Sequence, residues 1–292
     1  MLSAKLWIHA ARPKTLFIGA APILIGTILA LQKGVFHPLI FLWTILGALF
    51  IQIGTNYSND YFDFLKGADT ASRKGSYKVL QQGLILPQAM KFAFICCFTL
   101  AALCSFILAL HAGAVLLVIG ALCIAFSILY TAPPFPLAYL GLGDLFVLIF
   151  YGPVATICCY YLQTLHISTE VIIASFIPGL LGLGPLTMNN LRDRAGDALA
   201  NKKTLVVRFG MLYGKIQYLL SLWFVFCIPF VLVFYTHAHI FCLSASLSTL
   251  VAIPLIKTVF QTDDPCILQT VFIKTAKLVP LYTGLFCIGY LI

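Results

Sequence analysis

The segment at residues 36–70 reads FHPLIFLWTILGALFIQIGTNYSNDYFDFLKGADT. Its first part, residues 36–57, is an apolar run, about as long as the roughly 20 residues that cross a bilayer as a helix. Polar and acidic side chains follow at once, among them Asn59, Asp60 and Asp63. The segment therefore predicts a membrane-spanning helix that ends in carboxylates at one surface of the membrane.

The composition of the whole chain extends this prediction to all 292 residues. Apolar residues make up 61% of the chain and charged residues 9%, and the mean hydropathy is +1.02. Soluble domains carry about 25% charged residues, so a soluble fold is excluded. We predict an all-α, polytopic membrane protein with nine spans, at residues 15–32, 36–57, 91–110, 113–130, 140–162, 170–190, 215–236, 238–257 and 274–292.

Lysine and arginine are distributed unevenly between the connections of these spans. If the N-terminus is cytoplasmic, all 18 of these residues except Lys33 lie on the cytoplasmic side, in agreement with the positive-inside rule. Topology thus accounts for the net charge of +9, and we set nucleic acid aside as a partner. We expect a multi-pass protein of the cell (inner) membrane with a cytoplasmic N-terminus.

More than half of the nine carboxylates fall in two short stretches, each at the cytoplasmic end of an apolar segment. Asp60, Asp63 and Asp69 belong to NYSNDYFDFLKGADT (56–70), and Asp193 and Asp197 to NNLRDRAGDALANKKTL (189–205). Most of these acids, with nearby asparagines, are three or four positions apart, as on one face of a helix. Stacked carboxylates repel each other, and a bound divalent cation removes that cost. Oxygen ligands favour Mg²⁺ or Ca²⁺.

Basic side chains surround both acidic stretches, which suits a metal-bridged polyanion such as a diphosphate. They are Lys66, Arg73, Lys74 and Lys78 near the first stretch, and Arg192, Arg194, Lys202 and Lys203 in the second. The spacing alone leaves open a simpler interpretation, in which both stretches are solvated loops whose basic residues only set the topology.

The two acidic stretches resemble the motifs of the UbiA superfamily of intramembrane prenyltransferases. The spacings Asn59-x3-Asp63 and Asp193-x3-Asp197 match those motifs, but Gly67 stands where the third residue of the usual first motif would be. The acid comes two residues later, at Asp69. The string NDYFDFLKGAD is similar to the naphthoate polyprenyltransferases of menaquinone biosynthesis, whose pattern is NDYxDxxxGxD.

Four further strings in the same order resemble that branch and extend the similarity over almost the whole chain. They are WIHAARPKTL (7–16), VLQQGLILPQAMK (79–91), PLAYLGLGDLFVLIFYGPVA (136–155) and NNLRDRAGDALANKKTLVVRFG (189–210). One departure is Asp144, where the branch leads us to expect Glu.

The resemblance implies one intramembrane prenyltransferase domain over residues 1–292, with helices ringed around a central cavity. Cytoplasmic loops at 58–90 and 191–214 carry the two motifs, which face each other across the mouth of the cavity. The implied ligands are a polyprenyl diphosphate, an aromatic naphthoate, membrane lipids and Mg²⁺. The implied metal ligands are Asn59, Asp60, Asp63, Asp69, Asp193 and Asp197, of which Asp60, Asp63, Asp193 and Asp197 are also the expected catalytic residues.

The reaction implied by the resemblance is electrophilic prenylation of the ring, with release of diphosphate and CO₂. An apolar cavity would exclude water from the carbocation, and tyrosine faces could stabilise it. Residues expected to bind the diphosphate or the acceptor are Arg12, Lys14, Lys66, Arg73, Lys74, Lys78, Arg192, Arg194, Lys202, Lys203, Asp144 and Tyr139. Asp144 is included because a carboxylate at membrane depth is costly and usually functional.

Proline and glycine interrupt the sixth predicted span, at Pro178 and Pro185 with Gly179, Gly182 and Gly184. Such residues bend helices at membrane depth where neighbours satisfy the freed backbone groups. We therefore expect a bend that turns Asp193 towards the cavity.

Two other functions remain compatible with the residues. A secondary transporter also has many spans and broken helices, although its charges lie near the bilayer midplane. Another enzyme of the superfamily could use a regioisomeric naphthoate, 4-hydroxybenzoate, homogentisate, a haem or a sugar phosphate as acceptor. The length of the prenyl chain cannot be predicted from these patterns.

The predicted topology can be tested with single cysteines at Ser76 and Ala200 in a cysteine-free background. Four predicted spans separate the two motifs, so both motifs should face the cytoplasm. We expect a membrane-impermeant thiol reagent to label both cysteines only after the membrane is permeabilised. Labelling of one of them in intact cells would place the motifs on opposite sides and exclude a shared site.

Overall fold

The computed structural model describes residues 2–67 and 79–292, with all of their side chains except those of residues 2, 3 and 14. The predicted residues Asp69, Arg73, Lys74 and Lys78 lie outside the described part, as does the side chain of Lys14. The described chain is built from helices joined by short connections.

Fourteen α-helices follow one another along the described residues, with a π-helical turn and a short 3₁₀ turn between some of them. They are α1 (Leu2–Ala10), α2 (Pro13–Gln32), α3 (Pro38–Leu65), α4 (Pro87–Ala112), α5 (Val115–Leu129), α6 (Gly143–Ile149), α7 (Ala155–Thr164), α8 (Thr169–Ala174), α9 (Phe176–Leu199), α10 (Leu205–Phe209), α11 (Met211–Thr236), α12 (Leu243–Leu250), α13 (Ile253–Gln261) and α14 (Pro265–Leu291). The π turn is Phe150–Val154, between α6 and α7, and the 3₁₀ turn is Ile240–Cys242.

Eight helical segments among the described residues are long and apolar enough to cross a membrane. They are Thr15–Gln32, Pro38–Leu65, Pro87–Ala112, Gly143–Thr164, Thr169–Leu199, Met211–Thr236, Ile240–Gln261 and Pro265–Leu291. Each overlaps one predicted span. Helix α5, at the place of the remaining predicted span, is apolar but shorter than the others. The all-α, multi-pass architecture is confirmed, and the count of nine stays a prediction.

The helices that carry the motifs are longer than the sequence indicated. Helix α3 continues to Leu65 and α9 to Leu199, so the motif acids that the structure describes lie in the last helical turns and not in the predicted loops 58–90 and 191–214. The polar residues three and four positions apart continue the face of each apolar helix. Their side chains are thereby held on rigid elements.

Helix α9 crosses the segment α6–α7 at two glycines. A Cβ at Gly179 would lie 2.4 Å from the backbone oxygen of Leu148 and 3.1 Å from the Cα of Gly152. Gly152 itself leaves helical geometry within the π turn. Such turns often occur at functional sites, and here the turn brings Tyr151 to the interior of the bundle.

The predicted interruption of the sixth span is present, but at a different residue. The helix breaks at Ser175, three residues before Pro178, and α9 runs without a break across Pro185. Pro178 has no backbone N–H, so the carbonyl of Ala174 lacks its helical donor four residues on. This missing hydrogen bond accounts for the break.

The Gly152–Gly179 crossing generates a prediction about stability. Gly179→Ala forces the two helices apart, and overpacking of this kind costs about 1–3 kcal/mol. We expect a lower thermal unfolding temperature in detergent, together with reduced activity, because α9 carries the second motif. Gly284→Ala on α14 is the matched control, since a Cβ there meets no heavy atom within 4 Å. Equal unfolding temperatures for the two variants would contradict the crossing.

Candidate functional site

A cavity of about 540 Å³ lies between α2, α3, α5, α6, the π turn and α9. Helices α2 and α6 begin at one end of it, and α3 and α9 finish there. The polar lining groups gather at that end and include Arg12, Asn56, Asn59, Asp63, Asp144, Asn189, Asn190, Arg192 and Lys202. Deeper, the walls are mostly apolar, with Ile18, Pro22, Ala48, Phe126, Phe146 and Phe150 among them. The cavity thus suits a molecule with an anionic head and an apolar body.

The first motif contributes two oxygen-bearing side chains to the cavity wall, and neighbouring hydroxyl groups orient both. Thr131 donates to Oδ1 of Asn59 at 2.9 Å, and the hydroxyl of Tyr139 donates to Oδ1 of Asp63 at 2.8 Å. Both donors come from the connection between α5 and α6. This connection therefore fixes the rotamers of the first motif.

Asp60 lies behind the cavity wall and is 2% exposed. Its carboxylate forms an ion pair with the guanidinium of Arg12, which lines the cavity. Arg12 has a left-handed backbone conformation, with φ of 52°, between α1 and α2. Such a conformation costs about 1–3 kcal/mol for a residue other than glycine and is concentrated at functional sites. The ion pair with Asp60 helps to hold Arg12 in this conformation and thereby positions its guanidinium at the cavity.

In the second motif, a buried arginine is held by side chains from two helices. Arg192 binds both carboxylate oxygens of Asp193, through Nε at 2.7 Å and Nη2 at 2.6 Å. It also donates to Asn189 and to Gln269 of α14, and it lies over the ring of Phe272. Because Asp193 neutralises it, this guanidinium can be buried at the cavity wall.

The end of α9 is tied to the connection that orients the first motif. Lys202 pairs with Asp197 at 3.5 Å, and the backbone N–H of Lys203 donates to the carbonyl of Tyr139 at 2.9 Å. The Lys66 and Lys202 ammonium groups lie 3.9 Å and 6.0 Å from the centre of the Tyr139 ring. Tyr139 thus links the two motifs.

Lys66 follows the last turn of α3, beside the first motif. Its ammonium group donates to the carbonyl of Thr131 at 2.6 Å. Burial lowers the pKa of Lys66 below the ordinary lysine value, and the charge of Asp63 opposes this shift. The neighbouring carboxylate therefore helps to keep a cation at this end of the cavity.

Asp144 is buried at the start of α6, where it lines the cavity. Its Oδ1 accepts a hydrogen bond of 2.6 Å from Gln217 of α11, and the same amide nitrogen contacts the hydroxyl of Thr187 at 3.0 Å. Asp144 thus lies at the cavity, and its expected role in binding stays a prediction.

The structure divides the predicted site residues into three groups. Those at the cavity wall are Arg12, Asn59, Asp63, Asp144, Arg192 and Lys202. Those that support the wall from behind are Asp60, Asp193, Asp197, Lys66 and Tyr139. Arg194 and Lys203 have exposed side chains outside the cavity lining. The expected turn of Asp193 into the cavity is therefore wrong, because its carboxylate faces Arg192.

Sequence reasoning missed several polar residues that line or support the cavity: Gln52, Asn190, Thr131 and Gln217. These side chains are uncharged, so the distribution of charge along the sequence does not single them out. Gln52 could have been found, since it precedes Asn56 by one turn on the face that leads to Asp63. Thr131 and Gln217 come from distant segments, so only the fold reveals them.

The described residues contain no group of three His, Cys, Asp or Glu side chains placed to hold a metal ion. The wall instead offers carboxylate and amide oxygens, with cations between them. Together, the fold and this cavity define a membrane-embedded protein whose cavity has the shape and polarity to suit an amphiphile with an anionic head.

Comparisons with known proteins give the family. The model of the UbiA prenyltransferase family matches residues 20–277, and the chain belongs to that family. It is therefore a prenyltransferase and not a transporter. The 1,4-dihydroxy-2-naphthoate octaprenyltransferase of Escherichia coli (strain K12) is 39% identical over 70% of this chain and 68% of its own length. The enzyme of the same name from Haemophilus influenzae is 35% identical over 75% and 73%.

A solved structure supports the fold independently. A UbiA homologue from Archaeoglobus fulgidus, determined with GPP and Mg²⁺ bound, has a TM-score of 0.63 at 12% identity. The match covers 98% of this chain and all of the homologue. The predicted UbiA-like fold is confirmed.

Charge removal at each motif tests the site. We expect Asp63→Asn and Asp193→Asn each to lower turnover at least a hundredfold without preventing membrane insertion. The first removes a carboxylate at the cavity wall, and the second leaves the buried Arg192 without its counter-ion. Turnover is measured in membranes that contain equal amounts of each variant.

The control for these variants is Glu170→Gln. Glu170 also pairs with a lysine, Lys33, at 2.9 Å, but at the opposite end of α2 from Arg12. We expect wild-type turnover from it. A wild-type rate for Asp63→Asn or Asp193→Asn would remove that residue from the site.

Proposed function

We propose that this chain transfers a polyprenyl group from a polyprenyl diphosphate to a dihydroxynaphthoate, with release of diphosphate and CO₂, in menaquinone biosynthesis. The names of its relatives support the acceptor class. The observation that carries the proposal is the division of one cavity into a polar end with both motifs and an apolar interior. A diphosphate with a hydrocarbon chain has the same division.

The donor set at the polar end fits Mg²⁺. Asn59 and Asp63 on one side and Asn189 and Asn190 on the other offer carboxylate and amide oxygens. Mg²⁺ is commonly held by one or two carboxylates together with substrate phosphates and water, so a cluster of three acids is not required. These residues would hold the ion, which would neutralise charge on the leaving diphosphate, while Asp193 and Asp197 hold the neighbouring cations Arg192 and Lys202.

The cationic side chains assist the same step. We infer that Arg12, Arg192 and Lys202 bind diphosphate oxygens from opposite walls. As the allylic C–O bond breaks, its electron pair goes to the diphosphate, whose charge these fixed cations stabilise. Because their own carboxylate partners hold them in place, little reorganisation is needed.

The apolar interior protects the other product of ionisation. The prenyl carbocation would lie among apolar and aromatic side chains that exclude water, and the electron-rich ring attacks it there. Loss of the ring carboxylate as CO₂ leaves its electron pair in the ring.

We further propose that residues 1–292 act as one domain in the cell (inner) membrane, with the N-terminus and both motifs in the cytoplasm. The distribution of Lys and Arg supports this orientation. A water-soluble diphosphate is then released directly into the cytoplasm. The apolar helix surfaces face membrane lipids, and no partner among nucleic acids is needed to explain the basic residues.

The acceptor is tested by incubating membranes with Mg²⁺, a polyprenyl diphosphate and one candidate acceptor at a time. We expect a prenylated and decarboxylated product from 1,4-dihydroxy-2-naphthoate, identified by mass spectrometry. The regioisomeric naphthoate, 4-hydroxybenzoate and homogentisate are the alternatives. Prenylation of one of these in place of 1,4-dihydroxy-2-naphthoate would overturn the proposed acceptor.

The metal is tested in the same assay. Excess EDTA should abolish turnover, and added Mg²⁺ should restore it, because the carboxylate of Asp63 and the diphosphate require a cation between them. Full turnover in EDTA would contradict the metal assignment.

A further inference from the structure

The walls of the cavity differ in chemistry below its polar end. On one side, Phe126, Phe146 and Phe150 of α5, α6 and the π turn pack with ring centres 4.9–5.6 Å apart. Helix α3 presents Gln52 and Thr55 to the same cavity. The three phenyl rings therefore offer an apolar surface, whereas α3 offers hydrogen-bonding groups inside the membrane.

Gln52 is the deepest amide in the cavity lining. It lies two helical turns before Asn59 on the same face of α3, about 10 Å along the axis. Its side chain is held in place, because the hydroxyl of Tyr151 donates to Oε1 of Gln52 and Gly19 of α2 packs against it. Only 8% of Gln52 is exposed.

The amide nitrogen of Gln52 is the group of this side chain that is available to a ligand. Among the described residues no oxygen accepts a hydrogen bond from Nε2, although the same side chain lines the cavity. An amide donor in an apolar environment is costly when it has no acceptor. A hydrocarbon chain cannot relieve this cost, but an oxygen substituent on an aromatic ring can.

We propose that Gln52 binds the aromatic acceptor, by donating a hydrogen bond from Nε2 to an oxygen substituent of the ring, while the prenyl chain lies along Phe126, Phe146 and Phe150. Tyr151 positions Gln52 through its hydroxyl group. This inference rests on the proposed function, and it identifies which wall takes which substrate.

The depth of Gln52 agrees with this assignment. Arg12, Asn59 and Asp63 at the polar end take the diphosphate, so the reacting carbon of the donor lies just below them. All oxygen substituents of a dihydroxynaphthoate lie on the ring that is prenylated, so a hydrogen bond from Gln52 to one of them holds this ring in the space between Gln52 and the reacting carbon of the donor. The ring and the first part of the prenyl chain then lie side by side, as attack on the ionised carbon requires.

The test compares Gln52→Leu with wild type in steady-state kinetics for both substrates. Leucine keeps most of the volume and removes the donor. We expect KM for dihydroxynaphthoate to rise about tenfold or more, with KM for the polyprenyl diphosphate unchanged. Tyr151→Phe should raise the acceptor KM by a smaller factor, because it only releases the orientation of Gln52.

Two other variants separate binding from general damage. Phe150→Ala in the apolar phenylalanine cluster should raise the donor KM and leave the acceptor KM unchanged. Gln163→Leu is the matched control, since Gln163 is also a buried glutamine but accepts from the backbone N–H of His37 outside the cavity lining. It should change neither KM.

Inhibition by acceptor analogues identifies the bonded oxygen. Three analogues are used, each lacking one hydroxyl or the carboxylate. Gln52→Leu should raise the inhibition constant of each analogue that keeps the oxygen bound by Gln52. The inhibition constant of the analogue that lacks this oxygen should not change. A residue with only a structural role would weaken all three equally.

Several outcomes would overturn the inference: an unchanged acceptor KM, a raised donor KM in Gln52→Leu, or equal weakening of the three analogues. If Gln52→Leu does not fold, Gln52→Asn keeps the amide, withdraws it by one methylene group and carries the same expectations.

If wild type does not prenylate dihydroxynaphthoate, the proposed function fails instead. If it does and Gln52→Leu is normal, only this inference fails.

Discussion

Buried carboxylates at the end of a membrane-embedded cavity have to be neutralised, because an unpaired buried charge is strongly destabilising. In this protein basic side chains neutralise these carboxylates by forming ion pairs with them. Arg12 pairs with Asp60, Arg192 with Asp193, and Lys202 with Asp197. All three basic residues line the cavity, whereas their acidic partners stand behind it. The pairing thus stabilises the helix ends and also directs fixed positive charge at the place where a diphosphate would lie.

Much of this arrangement follows from patterns that a sequence shows directly. The apolar segments, the positive-inside distribution and the acids at helical spacing predict a helical membrane protein with both motifs at one surface. Asn59 and Asp63 are at the cavity wall because they extend the inner face of α3. The same reasoning failed for the second motif. Asp193 was expected to face the cavity. In the structure the guanidinium of Arg192 instead binds the carboxylate of Asp193, although neighbours in sequence usually point apart on a helix.

The contacts that could not be predicted come from residues far apart in the chain. Gln269 and Phe272 hold Arg192 from α14, and Tyr139 reaches Asp63 across 76 residues. Nothing in the local sequence indicates these partners, because each depends on which helices pack together. The break at Ser175 illustrates the same limit. The prolines indicated an interruption of the helix, but they did not indicate that α9 would pack against the π turn at the Gly152–Gly179 contact.

The central claim is that the two motifs, on α3 and α9, form one diphosphate site at the polar end of the cavity. A structure determined with a polyprenyl diphosphate and Mn²⁺ tests it directly, since anomalous scattering locates the metal. The account predicts a metal and a diphosphate between Asn59 and Asp63 on one side and the Asn189–Arg192 turn on the other, with the prenyl chain in the apolar interior. A diphosphate bound away from either motif would contradict it.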